Sequence, residues 1–445
     1  MCIATRAPST MKQPRRFRPN TKPQRNPDQM NTTFDNNDDQ HDPVDQACLH
    51  VQNKNYPAAE RILRQVLAAD PKNCPALNAL GVLYKYTGRH SQALEALRLA
   101  MAIHPTDPNA YYNLASLLHQ GGRSEESLPI LEQLFAKAEP CSPSSVTIYS
   151  HAITLCERVH DALATKNHPA TSEAVESFRR SVESLTGYPV VVASEDLPPA
   201  TGSVTETALR CGQAQHLIRC NRSFPDTLRQ HFIARGLMQI ELEWRAHSAG
   251  KAVTFTVQER GLRFLVQPLL GQQLPRLKAH VHVEESTRSA ALERARGILV
   301  NLFTCPTDLI VETTLRQRIP ILGSAQFLAT GGLLRQAPDP KQVLSKEDIM
   351  PKPFLYIDLA LNCVRAKLHD LLFRDTTGFA LAYADTAAAY DASQLWELWR
   401  ASASSLADGD EYRLVDDFGI LLGINPAYQR TNLPMGPLPP GTPSK

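Results

Sequence analysis

The side chains whose type and spacing are most typical of metal chemistry are His280, His282 and Glu284, which alternate with valines in the run HVHVE. Alternate residues of a β-strand point to one face, so both imidazoles and the carboxylate would stand together at a spacing compatible with a divalent metal. Solvent-facing histidines on an edge strand are the preferred explanation of the pattern, because the run continues into the polar residues Glu285 and Ser286. A metal centre built from these residues is therefore an alternative interpretation.

A second candidate site lies on a long predicted helix, from about Asp226 to His247, which follows Pro225 and is closed by Gly250. Its middle reads HFIARGLMQIEL over 231–242 and resembles the pattern HLIAHELMHIEL of a bacterial family of zinc-peptidase-like domains. In that family the helix carries an HExxH motif, in which two histidines bind zinc and the glutamate is the general base. The resemblance covers about 190–420 and implies an α+β peptidase-like domain there.

The three chemical positions of the motif are changed in this chain to Arg235, Gly236 and Gln239. A guanidinium stays protonated and repels a divalent cation, glycine offers no base, and a neutral amide is a weak ligand. The resemblance therefore implies a degenerate metal site, with no metal, no cofactor and no catalytic residue. One alternative is a zinc-dependent hydrolase that uses non-standard ligands. The other is a helix that never held zinc and packs into a core through Ile233, Leu237, Ile240 and Trp244.

The part of the chain before this domain contains a repeat of 34 residues, the spacing between Pro71 and Pro105 (105 − 71 = 34). The same step relates Ala59, Ala93 and Ser127, and also Leu63, Leu97 and Leu131. The unit at about 74–107 resembles the tetratricopeptide repeat at Leu77, Leu80, Gly81, Tyr84, Ala93, Leu97, Ala100 and Pro105. Small residues are needed where the two helices of a hairpin cross. The sequence therefore predicts an all-α array of about three repeats over 43–140.

Arrays of this kind bind protein or peptide ligands on a concave face lined by the inner helix of each hairpin, and we expect the same of this chain. The residues predicted to point outward on that face form a mixed polar and aromatic set: Asn78, Val82, Lys85, Asn109, Tyr112, Ser116 and His119. A mixed set of this composition is suited to peptide recognition.

The remaining segments follow from composition and periodicity. Prolines and runs of single-sign charge predict a disordered N-terminal tail over 1–42, within which Met30 is a second candidate for the true start. Apolar residues at helical spacing predict two capping helices, 144–165 and 170–186, within a linker over 141–187. The α+β domain is then expected over 188–425, with strands near 189–193 and 215–219, and a disordered tail over 426–445. Within the domain, helices are predicted at about 286–303 and 307–317, and Gly331-Gly332 is read as the end of a helix.

The overall composition bears on the class of partner and on the cellular compartment of the protein. A formal net charge of +2 from 47 basic and 45 acidic residues gives no global field for nucleic acid or an anionic membrane. Nine cysteines without a CxxC pair, and no run near the length of a membrane span, favour a cytoplasmic protein. The chain also lacks GxxxxGK[ST], GxGxxG and GxSxG motifs. The sequence therefore predicts a cytoplasmic adaptor or scaffold that binds proteins through its repeats.

Overall fold

The computed structural model describes residues 42–137, 143–199, 201–273, 281–337, 339–345, 352–374, 376–403 and 407–433. The predicted N-terminal tail, apart from Asp42, lies outside these residues, as does His280. The chain divides into two units, Met1–Leu155 and Cys156–Lys445, which are described separately.

Six helices make up the described repeats of the first unit, and they pair as three successive hairpins: α1 Pro43–Gln52, α2 Tyr56–Ala69, α3 Cys74–Tyr86, α4 His90–Ile103, α5 Pro108–Gln120 and α6 Ser124–Lys137. The first helix of each hairpin begins in the same way. Asp42, Asn73 and Asp107 cap α1, α3 and α5 through their side-chain oxygens, and a proline stands in the first two helical positions. A proline there forfeits no intrahelical hydrogen bond and presets the backbone, so each hairpin starts at a defined residue.

The crossing of α3 and α4 explains the small residues of the repeat. A Cβ atom added to Gly81 would lie 2.6 Å from Cγ of Leu97, so only glycine fits at this contact. Ala93 and Leu97 are fully buried beside it. Gly88 turns the hairpin with a φ of 74°, a conformation that glycine adopts without steric cost. The small positions predicted from the 34-residue step therefore lie at helix contacts.

A single helix of 44 residues, α7 Pro143–Thr186, replaces the two capping helices predicted from the sequence. That prediction was wrong because Pro169 lies inside the helix instead of breaking it. An interior proline costs about 3 kcal/mol. Here apolar side chains on both sides of Pro169, among them Leu163 and Val175, are buried, and this packing offsets the cost of the proline. The division between the two units falls within α7.

The second unit contains two small sheets. The first has strands β1 Val190–Glu195, β2 Ser203–Glu206 and β3 His216–Asn221 in the order β1-β3-β2, with β1 parallel and β2 antiparallel to β3. The second pairs β4 Val253–Val257 with β5 Tyr428–Asn432 in antiparallel fashion. The prediction of a disordered tail from 426 is therefore wrong over β5. Tyr428 is buried, and its ring packs edge-on against Phe255 with centroids 5.7 Å apart.

The rest of the second unit is helical, so the chain as described is mostly α. The helices are α8 Ala208–Cys211, α9 Asp226–Ser248, α10 Glu259–Gln273, α11 Val281–Arg318, α12 Gly323–Gln336, α13 Pro340–Ser345, α14 Lys352–Leu372, α15 Ala388–Ala403 and α16 Asp410–Leu421. Short 3-10 turns occur at Pro320–Leu322, Phe379–Tyr383 and Asn425–Ala427.

Helix α9 packs on the first sheet on one side and on α11 and α12 on the other. Its buried residues Phe232, Leu237 and Ile240 share a core with Ile218 of β3 and Leu322. A second core joins α11 to α14, α15 and α16. The long predicted helix at 226–247 is thus confirmed as an element, and it lies at the centre of its unit.

The beginning of α11 corrects the interpretation of the HVHVE run. The backbone is helical from Val281 onward, so the alternation of a strand, which would bring His282 and Glu284 to one face, does not apply. Helix α11 also continues through Pro306, where the sequence had predicted two separate helices. Likewise Gly331 and Gly332 lie inside α12 and do not end it.

The central part of α11 is unusually apolar. Its segment Arg288–Arg318 is long enough to cross a bilayer and contains an 18-residue window with a mean hydropathy of 1.3, of which 61% is buried within the protein. The expectation that no segment reaches this length and composition is therefore wrong. A core helix that is covered on most sides has the same composition.

Candidate functional site

Helices α9 and α11 face each other through a cluster of charged side chains. Arg235 on α9 donates through Nη2 to Oδ1 of Asp308 on α11, and its Nε lies 3.8 Å from Oε1 of Glu312. One turn before Arg235, His231 is fully buried, with Nε2 3.3 Å from the same Oε1. That contact is too poorly aligned to be a hydrogen bond, and neither ring nitrogen of His231 has one among the described residues. Arg235 and His231, one turn apart on α9, therefore face the carboxylates of Asp308 and Glu312 on α11.

Helix α14 completes the cluster with a second guanidinium. Arg365 donates to Oδ2 of Asp308 through Nε at 3.0 Å and Nη2 at 2.9 Å. It also donates to Oδ1 of Asn301 and, at 3.0 Å, to Oγ1 of Thr304. Asp308 therefore bridges Arg235 and Arg365 with its two oxygens. Charge-assisted hydrogen bonds of this kind fix the side chains in one arrangement.

The surroundings of Glu312 keep it ionised. Burial raises the pKa of this carboxyl, but His231, Arg235 and the amide of Gln326 together outweigh burial and lower the pKa to about 2. Burial acts in the opposite sense on His369 of α14 and, together with the nearby charge of Arg335, lowers its pKa to about 4, so that this imidazole is neutral near pH 7. Its Nε2 donates to the carbonyl oxygen of Phe327 at 3.2 Å. The cluster thus contains fixed charges of both signs beside a neutral imidazole.

A cavity of about 400 Å³, here called the inner cavity, opens beside this cluster between α9, α11, α12 and α14. The charged groups Arg235, Asp308, Glu312 and Arg365 form one part of its wall. Leucines form the apolar part: Leu309, Leu333, Leu334, Leu368 and Leu372. Further polar groups come from Asn301, Thr330, Gln336 and Asn362. An apolar cavity of this size with a few convergent polar groups is typical of small-molecule sites.

The three degenerate motif positions do not converge on the cavity. Arg235 lines it, but Gly236 faces the first sheet, where an added Cβ would lie 2.9 Å from both Cδ1 of Ile218 and Oγ1 of Thr205. Gln239 is half-buried. Within the described part of the chain, no group of three or more His, Cys, Asp or Glu side chains is arranged to hold a metal ion.

Sequence reasoning missed the partners of Arg235. Asp308 and Glu312 are four residues apart within the most apolar segment of the chain. Acidic side chains are almost never buried without a partner. Two such residues on one face of an apolar helix therefore signal a buried ion pair. Arg365, 57 residues further on (365 − 308 = 57), gives no comparable signal.

In the first unit, two residues predicted to point outward on the concave face are buried. Asn78 is 9% exposed and Ser116 is 6% exposed, so that part of the prediction is wrong. The reason is that the inner helices α3 and α5 pack side by side. Nδ2 of Asn113 donates to Oδ1 of Asn78 at 3.0 Å, and Nζ of Lys85 donates to Oγ of Ser116 at 3.4 Å. These bonds satisfy the buried polar groups between neighbouring repeats.

The other predicted residues of the concave face are half-buried: Val82, Lys85, Asn109, Tyr112 and His119. The ring of Tyr112 lies 6.1 Å from that of His151 on α7, centroid to centroid. Lys85 lies on α3 and Tyr112 on α5. Lys85 contacts Ser116, and Tyr112 contacts His151 of α7.

Comparison with known proteins agrees with the helical hairpins. Residues 44–108 and 86–143 each match a family described as tetratricopeptide repeat. Over 80 residues the chain is 35% identical to an uncharacterized protein, y4yS, of Sinorhizobium fredii (strain NBRC 101917 / NGR234). The similarity covers 18% of this chain and 44% of that protein, so the chain spans less than half the length of this relative. Residues 44–143 are therefore tetratricopeptide repeats.

Proposed function

We propose that this protein is a cytoplasmic adaptor that captures a protein segment on the concave face of its tetratricopeptide repeats. The observation that carries the proposal is the match of 44–143 to these repeats, which commonly bind protein partners. Half-buried Lys85 and Tyr112 on successive inner helices add a cation and an aromatic ring. Such groups contribute disproportionately to protein interfaces, because they combine large contact area with directed polar atoms.

Replacing both Lys85 and Tyr112 by alanine is expected to weaken partner binding by at least about tenfold, since truncating interface anchors typically costs more than 1 kcal/mol each. The partner is first recovered by affinity capture on the full chain and identified. Binding of the purified partner is then titrated by calorimetry.

The matched control for this double variant lies on an outer helix. Arg98 and Leu99 are exposed on α4, and their replacement by alanine also removes one cation and one large apolar side chain. We expect this control to bind like the unaltered protein. Equal affinity of the Lys85 and Tyr112 double variant, with its repeats folded by circular dichroism, would exclude the concave face as the binding surface.

We further propose that the second unit is a peptidase-like domain that works without a metal. Two observations support this: β3, a short loop and α9 follow in the order that the resemblance implies, and the first motif position holds a guanidinium against two carboxylates. A fixed cation there supplies the positive charge that the carboxylates require. The competing proposal is a zinc-dependent hydrolase with non-standard ligands.

Zinc content separates these two proposals. We expect elemental analysis of the purified protein to show far less than one zinc per chain, and the variant Arg235→His with Gln239→His to bind zinc measurably. Gly236→Glu is left out of this variant, because the sheet leaves no room for a side chain at that position. About one zinc per chain in the unaltered protein would instead support the hydrolase.

A further inference from the structure

Among the residues that the structure describes, the charged side chains that line the inner cavity sum to zero. Arg235 and Arg365 supply two positive charges, and Asp308 and Glu312 supply two negative charges in direct contact with them. A charged ligand would leave one uncompensated charge in this partly open cavity. Burying an uncompensated charge is costly, whereas an uncharged ligand avoids that cost. The charge balance of the wall therefore selects against both anions and cations.

The charged wall still has unused hydrogen-bonding capacity. Arg235 has five N–H donors, and one donates to a described residue, through Nη2 to Asp308. Nε of Arg235 is buried beside Glu312, so the donors left for a ligand are on the terminal nitrogens Nη1 and Nη2. On the acceptor side, Oε2 of Glu312 accepts from Nε2 of Gln326 at 2.8 Å, and Oε1 retains capacity, since a carboxylate accepts about four hydrogen bonds. A donor and an acceptor are thus available side by side.

The apolar part of the lining of the inner cavity is aliphatic, with leucines from α11, α12 and α14. Leu334 and Leu372 are only half-buried there, so they have surface left to cover. Covering apolar surface yields about 25 cal/mol per Å². A ligand that fills this wall therefore needs an aliphatic body attached to its polar group.

We propose that the inner cavity binds a small uncharged compound with an amide or similar carbonyl group and an aliphatic chain. Its carbonyl oxygen accepts from Arg235, its N–H donates to Glu312, and its chain packs on Leu334 and Leu372. This site does not depend on the adaptor function of the repeats, because every residue that lines it belongs to the second unit.

The test is calorimetry on the full chain near neutral pH with three probes of equal chain length: hexanamide, hexanoate and hexylamine. The probes share the aliphatic body and differ in charge. We expect hexanamide to bind at least about tenfold more tightly than either charged probe. Equal or tighter binding of hexanoate or hexylamine overturns the proposal, as does a failure of hexanamide to bind up to its solubility limit.

Two adjacent leucines provide a matched pair of variants that locate the site. Leu372 lines the cavity, whereas Leu371 is 55% exposed and is absent from its described lining. Leu372→Trp is expected to weaken hexanamide binding at least about tenfold by filling the cavity, and Leu371→Trp to leave it unchanged. Leu334→Trp repeats the test from α12 should the first variant fail to fold. Unchanged affinity in a folded cavity-filling variant overturns the proposal.

Discussion

Replacing Arg235 by methionine is expected to lower the free energy of unfolding of the second unit by about 3–5 kcal/mol. The change removes the guanidinium that contacts Asp308 and Glu312, and both carboxylates are nearly buried, with side chains 12% and 8% exposed. Breaking a buried ion pair on one side leaves an uncompensated charge, which costs more than the pair contributes. Arg365 still compensates Asp308, so most of the loss falls on Glu312.

Urea unfolding followed by tryptophan fluorescence measures this effect selectively. Trp244, Trp396 and Trp399 are the only tryptophans of the chain, and all belong to the second unit. The control is Arg222→Met, which removes an exposed ion pair with Asp196 and is expected to cost less than about 1 kcal/mol. An equal, small loss in both variants would show that the charged cluster between α9 and α11 does not stabilise the unit.

The second unit is also expected to lose stability on mild acidification. His160, His216 and His369 are buried, and burial lowers their pKa values from 6.5 to about 3 for His160 and about 4 for the other two. The unfolded chain then binds more protons than the folded chain below pH 6.5, so each histidine removes about 1.4 kcal/mol per pH unit as the pH falls. His160 stacks on Phe327 at 3.9 Å between ring centroids and contacts Oγ of Ser324, so protonation would place a charge among aromatic rings.

Glu411, in the first turn of α16, opposes this trend. Burial raises its pKa from 4.5 to about 7, so the folded chain binds an extra proton between these values and gains stability as the pH falls. Three histidines against one glutamate leave a net loss of about 2.8 kcal/mol per pH unit between pH 6.5 and 4.5. Glu411→Gln removes the opposing group and is expected to raise that slope to about 4.2 kcal/mol per pH unit. A slope that Glu411→Gln leaves unchanged would contradict this assignment of the titrating groups.

The sequence predicted the elements that have local signals. The repeats were found because hairpin packing imposes a fixed step on small and apolar residues, and α9 because Pro225, Asp226 and Gly250 mark its ends. Pro169 and Pro306 misled the prediction, since tertiary packing outweighs the local cost of proline in α7 and α11. The pairing of β4 with β5 was missed because neither strand carries information about a partner so distant in the chain.

The candidate site was predicted only in part, for the same physical reason. Arg235 was recognised as a residue unsuited to binding zinc, which follows from its own chemistry. Its partners Asp308 and Arg365 come from two other helices, and only the fold brings them together. The role of Gly236 depends on the contact with β2 and β3, which sequence patterns along one helix do not show.

The pairing of β4 with β5 has a consequence for protein synthesis. Val257 pairs with Tyr428, so β4 leaves the ribosome 171 residues before its partner (428 − 257 = 171). At about 5–20 residues per second, that interval lasts on the order of 10–35 s. Throughout it β4 lacks its partner strand, and an unpaired strand edge promotes aggregation. The second unit therefore completes its fold only after β5 has been synthesised.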